Sequence, residues 1–503
     1  MPTFEPALSF RKGRDRKFLF YGQCLVWVVY IELLAMMRAY ELGDGDFTYG
    51  LCVFLGIFSI WSLWSWKRVT GYYCDLYSLV LLTLVLFSGG QAILEIFELN
   101  PHGILNGIHP ESVTKDCVLL VVNCLMAFHS GALLHAFTLR NRKPAEIAAM
   151  EETAKPSRGL GTIMIMISLA PASYVLYQDW IVAQAYGYMA LYQQSNVPTG
   201  VDNWYAILAT FLVPGALLLL AGSQGRYIGV LIPWILIAVP SVAYLLIGHR
   251  NVGLQALAAL LWLHSAAIKP ISRKFVILGV VIGLFVVPAL ASLRDDPAYS
   301  KNKLEFLLNA FEKIESPLVS NLTEMGGTLS TIVYTVELVP QVRPYDWGLG
   351  YLTALTTVIP NLFWDIHPAQ KRGAPTEWLI NQVDPYVARF GGGIGFSMIA
   401  EAYLNFTWYG APFFMLFLGF TVGSFVLWVL ERPDSLRLAT EASLISFVLF
   451  FARADSHMIM RPLFWMCLIP YLIVSYLGRP TSLRVRATSP LLRQSRKRLE
   501  EVH

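Results

Sequence analysis

Apolar runs, each close to the roughly 20 residues an α-helix needs to cross a hydrocarbon core, recur along almost the whole chain. They begin near Phe18, Phe47, Leu76, Val118, Leu160, Trp204, Tyr227, Val252, Phe275, Ala411, Ala442 and Leu463. Within lipid every backbone N–H and C=O must be satisfied inside the chain, so runs of this length fold as helices. A soluble core is excluded by composition. At 503 residues, 55% hydrophobic and 14% charged, the chain carries more apolar surface than a globular interior hides, and its mean hydropathy is +0.53. The expected fold class is all-α, a polytopic integral membrane protein of about twelve transmembrane helices.

Loop charge sets an expected topology, because Lys and Arg accumulate on the cytoplasmic side. Basic residues from Arg11 to Lys17 precede the first run, which ends at Arg38 without a small-residue cleavage site, so it reads as an uncleaved anchor. Lys67-Arg68, the segment holding Arg140, Arg142, Lys143, Lys155 and Arg158, then Arg226, Lys269 with Arg273-Lys274, Arg432 with Arg437, and the basic tail all fall on one side. The other side carries the acidic turn Glu41 to Asp46 and two loops poor in positive charge, His102 to Asp116 and Tyr186 to Asn203. Both termini are expected in the cytoplasm.

The chain divides accordingly into residues 1–292 with nine transmembrane helices, a large outer loop at 293–395, three more helices at 396–478, and a basic cytoplasmic tail at 479–503. A loop of roughly 100 residues exceeds ordinary connections and usually carries function. Apolar spacing predicts short helices over Lys303 to Lys313, Thr328 to Val339 and Trp378 to Val387, with a break at Pro340 to Pro344. The loop is read as a lid or platform on the outer membrane face.

Ionisable residues are costly in a membrane, so their placement is informative. Glu32, Arg38, Gln91, Glu95, Glu98, His249-Arg250, Arg294-Asp295-Asp296, Arg453, Asp455, His457 and Arg461 all fall at outer ends of the expected spans. With Arg343, Arg372 and Arg389 of the loop they describe one polar cavity of largely positive sign, and guanidinium forks suit phosphate oxygens. Other chemistries find little support. The six cysteines, Cys24, Cys52, Cys74, Cys117, Cys124 and Cys467, form neither a CxxC pair nor a disulfide framework. There is no HExxH, the DxD-like Asp44-Gly45-Asp46 reads as an acidic turn, and His129 and His135 stand on different helical faces. Gly391-Gly392-Gly393-Ile394-Gly395 lacks the lysine and preceding strand of a phosphate loop, so no metal, cofactor or nucleotide is expected. The net charge of +4 follows from the positive-inside pattern and gives no nucleic-acid role.

The string after that glycine run places Ser397, Glu401 and Asn405 four residues apart, on one face of a helix. The apolar stretch Phe396 to Val429 is too long for one perpendicular span. Its first turns are expected to project into the outer cavity, bending near Pro412, where Glu401 would meet the arginines.

The block Phe396-Ser397-Met398-Ile399-Ala400-Glu401-Ala402-Tyr403-Leu404-Asn405-Phe406 after a glycine-rich stretch resembles one found in the Wzy-type O-antigen and oligosaccharide repeat-unit polymerases. Gly248-His249-Arg250-Asn251 resembles their Gly-x-Arg element, and Arg453-Ala454-Asp455 with Arg461-Pro462 their late arginine segment. Where many members have Gly after Asn-Phe, this chain has Thr407. The resemblance covers the C-terminal half; the first 200 residues match in hydropathy only.

It implies a bacterial inner-membrane glycosyltransferase of the C-type membrane fold, joining repeat units on undecaprenyl pyrophosphate at the periplasmic face. A growing lipid-linked chain would be the donor and a single lipid-linked unit the acceptor, with a chain-length regulator as a possible partner. A lipid pyrophosphate is already a good leaving group, so the protein needs cations for the departing charge and a base for the acceptor hydroxyl. Arg250, Arg294, Arg453 and Arg461 are the candidate pyrophosphate ligands, standing in for a metal ion. Glu401, His249 and His457 are the candidate bases, with Glu401 ranked first. Ser397, Tyr403, Asn405 and Arg389 are candidate acceptor or sugar contacts, and Tyr345, Trp347, Trp364, Trp378 and Tyr386 offer rings for stacking on sugars. An O-antigen ligase shares much of this logic. A lipid-linked oligosaccharide flippase is the alternative of another class, though it would show internal repeats and polar breaks near the bilayer midplane.

Overall fold

The apolar runs become helices whose backbone bonds are all internal, the state that a lipid solvent demands. The computed structural model describes residues 13–99, 102–139, 149–187, 190–191, 200–272, 274–275, 277–279, 281–285, 316–359 and 367–478. The first helices are α1 (Gly13–Ala39), α2 (Asp44–Thr70), α3 (Leu76–Ile96), α4 (Glu111–Thr138) and α5 (Ala149–Tyr186). They are followed by α6 (Gly200–Ala209), α7 (Leu212–Gly222), α8 (Tyr227–Ile247) and α9 (Arg250–Ala267). The outer segment holds α10 (Pro317–Gly326), α11 (Leu329–Leu338), α12 (Leu349–Thr356), α13 (Pro368–Arg372), α14 (Pro375–Val383) and α15 (Pro385–Arg389). Last come α16 (Met398–Glu431), α17 (Ser435–Ile445), α18 (Phe450–Arg453), α19 (Ser456–Pro462), a π-helical turn at Leu463–Leu468, and α20 (Ile469–Leu477).

Among the described residues ten helical stretches are long and apolar enough to cross a membrane. They match ten of the twelve runs read from sequence. The run at Val252 is the shorter α9, which carries Gln255 and His264, and the run at Phe275 is described only in part. Large apolar side chains point outward from these helices, Ile60 and Phe413 each being 73% exposed, as a lipid-facing surface requires.

The tightest seam joins α4 to α16. A Cβ added to Gly131 would stand 1.9 Å from the Leu416 carbonyl oxygen, and one at Gly419 1.8 Å from that of Phe128. Only glycine permits this approach, the small-residue packing by which membrane helices associate without a hydrophobic driving force. Several buried polar groups are paired at the end opposite the outer segment. Asp75 accepts from Trp66 Nε1 (3.0 Å) and the Ser78 amide (2.8 Å), and Glu441 accepts from the Leu76 amide (3.0 Å). His129 lies between Ser65 and Tyr77, each 2.8 Å away, whereas His135 Nδ1 has no hydrogen-bond partner. Cys74, in the turn between α2 and α3 at this end, is exposed.

Helices α10 to α15 form a platform across the other end. Gln91 Nε2 donates to the Thr323 carbonyl of α10 (3.2 Å), and His109 meets Glu337 of α11 (3.1 Å). The expected helix at Thr328 to Val339 is α11, and the proline-bounded break follows it. The one expected at Trp378 to Val387 is two helices, because Asp384 ends α14 and its carboxylate accepts from the Val387 amide (3.0 Å) to cap α15. The segment Lys303 to Lys313 lies outside the described residues. The bend expected near Pro412 falls instead at Thr407, whose backbone (φ 67°, ψ −172°) breaks α16 five residues earlier. A left-handed φ interrupts the hydrogen-bond ladder more sharply than the proline, which the helix accommodates.

Candidate active site at the platform end

The first turns of α16 show the four-residue strip that the sequence predicts. Ser397 caps the helix by accepting from the Ile399 amide (3.2 Å), the Glu401 amide donates to Ser397 O (2.8 Å), and Asn405 Nδ2 donates to Glu401 O (2.9 Å). All three residues are fully buried. Their polar atoms hold neighbouring segments. Glu401 accepts from the Ser456 amide (2.9 Å) and hydroxyl (2.5 Å), so its partner is the start of α19 and not the expected arginine. Asn405 Oδ1 accepts from the Gly350 amide (3.2 Å). Tyr403 donates to the Val339 carbonyl (3.1 Å) with Tyr345 Oη also 3.1 Å away. The strip is the base on which platform and α19 rest.

The chain leaves helical geometry at Ala454–Asp455, and Asp455 caps α19. His457 and Arg461, four apart on α19, share one of its faces. That face turns to the platform, since Arg461 Nε donates to the Thr357 carbonyl at the end of α12 (3.1 Å). The His457 side chain is only 10% exposed, yet neither ring nitrogen has a hydrogen-bond partner. Asp455 Oδ1 lies 3.7 Å from its Nδ1, and Arg372 and His367 are near enough to act on the same ring electrostatically. Asp346 binds Arg343 (2.9 Å) and Arg372 (2.8 Å) together, and Arg343 lies over the Trp378 ring. Gly395, at φ 75°, lays the glycine-rich strand across Arg453, whose side chain would be 3.1 Å from an added Cβ. Arg453 and Arg461 are exposed.

Arg250 opens α9 beside this cluster. Gln255 Oε1 of α9 accepts from the Leu449 amide (2.8 Å), just ahead of α18. Arg250 and Arg453 stand about 6–8 Å from that contact along their helices, by helical rise. Both arms of the Arg250 guanidinium engage Glu324 of α10 as a two-pronged ion pair. Next to it, His249 lies edge-on to Tyr244, and burial pushes its imidazole down to about 4. Arg389 ends α15 and is exposed; Arg294 lies outside the described residues.

Sequence reasoning did not single out Asp346, Thr376, Ser456 or Glu324. Asp455 was legible as one of the outer polar residues and as part of the Arg453-Ala454-Asp455 resemblance, but was given no role; its position ahead of Ser456-His457 is a capping signal. Glu324 carried none, because its partner is 74 residues away.

These features define a class: a multi-pass membrane protein whose platform end gathers arginines around an imidazole with no bonded partner. The family model of the O-antigen polysaccharide polymerase Wzy matches residues 24–480, nearly the whole chain, and the chain belongs to that family. It is accordingly a polymerase of the bacterial inner membrane, of a family that acts on lipid-linked oligosaccharide repeat units. No curated protein and no solved structure matches it significantly.

Proposed function

We propose that this polymerase joins undecaprenyl-pyrophosphate-linked repeat units at the periplasmic face, with the platform end facing the periplasm and both termini in the cytoplasm. The acceptor hydroxyl attacks the anomeric carbon of the donor chain. As that bond forms, the bond from the anomeric carbon to the pyrophosphate oxygen breaks, and the hydroxyl proton passes to a base. Arg453 and Arg461 receive the pyrophosphate charge as it develops, the task a metal ion has elsewhere. Arg250 joins them by exchanging Glu324 for a phosphate oxygen, with Arg294 as a further ligand.

The observation that carries this assignment is His457: an imidazole with two nitrogens that have no hydrogen-bond partner, on the same helix face as Arg461 and within the field of Arg372. A base needs an available lone pair. Both carboxylate oxygens of Glu401 are already engaged by Ser456. We therefore rank His457 ahead of Glu401 and His249 as the base. Ser397, Tyr403 and Asn405 support the acceptor site by holding the platform, while Arg389 and the exposed rings of Trp347 and Tyr386, 70% and 71% exposed, offer sugar contacts.

The test uses purified protein in nanodiscs with a synthetic lipid-linked repeat unit, product length being read on a gel. Wild type is expected to build a ladder that chelator leaves intact. His457→Gln should lower the rate at least about 100-fold with normal folding, and Arg461→Ala by about 100-fold. Glu401→Gln should act chiefly on yield and melting temperature. Full activity in His457→Gln would remove the imidazole from the mechanism.

A further inference from the structure

We propose that Asp455 is the positioning residue that makes His457 competent as a base, an inference that rests on the reading of His457 given above. Asp455 is 1% exposed and its carboxylate faces two ways. Oδ2 accepts from the amide (3.2 Å) and hydroxyl (2.7 Å) of Thr376, on the platform helix α14. Oδ1 accepts from the His457 amide (3.2 Å) and stands 3.7 Å from Nδ1 of the ring. The platform thus fixes the carboxylate, and the carboxylate fixes the end of the helix that carries the imidazole.

The chemistry follows from which nitrogen faces which group. With Nδ1 turned to Asp455, Nε2, itself buried and without a hydrogen-bond partner, is the nitrogen assigned to the acceptor hydroxyl. At 3.7 Å the Nδ1 contact is longer than a hydrogen bond, but it is a close ion pair once the ring is charged. As the O–H bond of the acceptor breaks, its proton goes to Nε2; the oxygen bonds the anomeric carbon and the pyrophosphate departs with the electron pair. The resulting imidazolium lies within the field of the Arg372 guanidinium, and the Asp455 carboxylate beside the ring offsets it. From α16, Glu401 approaches this pair through Ser456. Without Asp455 the proton would be delivered to a ring with no carboxylate beside it.

The experiment measures kcat, KM and pH–rate profiles for repeat-unit transfer with full-length protein in nanodiscs, for wild type, Asp455→Asn, Thr376→Val, His457→Gln and the double variant Asp455→Asn/His457→Gln. An asparagine removes the charge but has one acceptor oxygen, enough for the helix cap or for the Thr376 donors and not for both, so Thr376→Val, which removes the hydroxyl, separates loss of a platform bond from loss of charge. Asp455→Asn is expected to lower kcat about 100-fold or more with little change in KM, and to move the acid limb of the profile to lower pH. Thr376→Val keeps the charge, so the limb should stay in place. Added to His457→Gln, the Asp455→Asn change should cost nothing further, because the two act as a unit. An unshifted acid limb, or a loss that multiplies fully in the double variant, would reduce Asp455 to a helix cap. Should Asp455→Asn fail to fold, Asp455→Glu decides, since a carboxylate displaced by one methylene moves the limb only if it acts on the ring. Wild type that lengthens no repeat unit overturns the functional reading itself, a result distinct from an active wild type with an inert Asp455.

Discussion

Glu401 and His457 differ in what their polar atoms already hold. Glu401 has its carboxylate closed on the two donors of one serine, whereas His457 is enclosed by protein with both nitrogens unbonded. A buried imidazole without a hydrogen-bond partner is costly to keep, and such costs concentrate where chemistry is done. His249 shows the other fate of a buried histidine. Burial pushes it down to about 4 from an ordinary 6.5, so the folded protein holds it neutral and the unfolded chain protonates first. The stability it contributes is complete above about pH 6.5 and is lost as pH falls through about 4. Melting curves of purified protein should therefore drop between pH 7 and pH 4.5, and His249→Gln should flatten that drop; an unchanged slope would assign the acid sensitivity elsewhere. At this scale sequence was a partial guide. It located the outer arginines, His457 and the Ser397–Asn405 strip, because span ends and four-residue spacing are local. It missed that Glu401 faces Ser456 and Arg250 faces Glu324, because those partners are 55 and 74 residues distant.

The bend in α16 belongs to the level of the element. Its position was read as Pro412, the residue with the best-known effect on helices, but the backbone turns at Thr407 (φ 67°, ψ −172°). That region is open to glycine and costs a β-branched residue about 1–3 kcal/mol. The resemblance places glycine at this point in many relatives, so the sequence held the clue as a departure from a pattern. Thr407→Gly should raise thermal stability by a net of about 1 kcal/mol, after allowing for glycine's greater unfolded-state entropy, and Thr407→Val should bring no gain. Equal melting temperatures for all three proteins would show that the surrounding contacts carry the conformation without strain. The division between α14 and α15 had a similar local signal, Asp384 followed by Pro385, which stops one helix and starts the next.

Across the whole molecule the apolar runs made the helices legible, since a lipid solvent leaves a chain few other choices. Which helices touch was not legible. Periodicity does not say that α4 lies against α16, and the glycines responsible, Gly131 and Gly419, look alike in sequence to many that make no close contact. Gly131→Ala or Gly419→Ala should abolish the folded, monodisperse product in size exclusion, because each new methyl would meet backbone, not a side chain that can turn aside. Normal yield from either would mean that the seam can open by more than a Cβ radius.

The exposed thiol in the turn between α2 and α3 makes the two ends of the bundle chemically distinguishable. Cys52, Cys117, Cys124 and Cys467 are buried, Cys24 projects from the middle of a lipid-facing helix, and Cys74 sits at the end away from the platform. A charged maleimide added to sealed vesicles therefore samples Cys74 from one compartment, a contrast that arginines, present at both ends, do not offer. A polymer-linked maleimide turns the orientation of this polymerase into a gel-shift readout that needs no engineered tag.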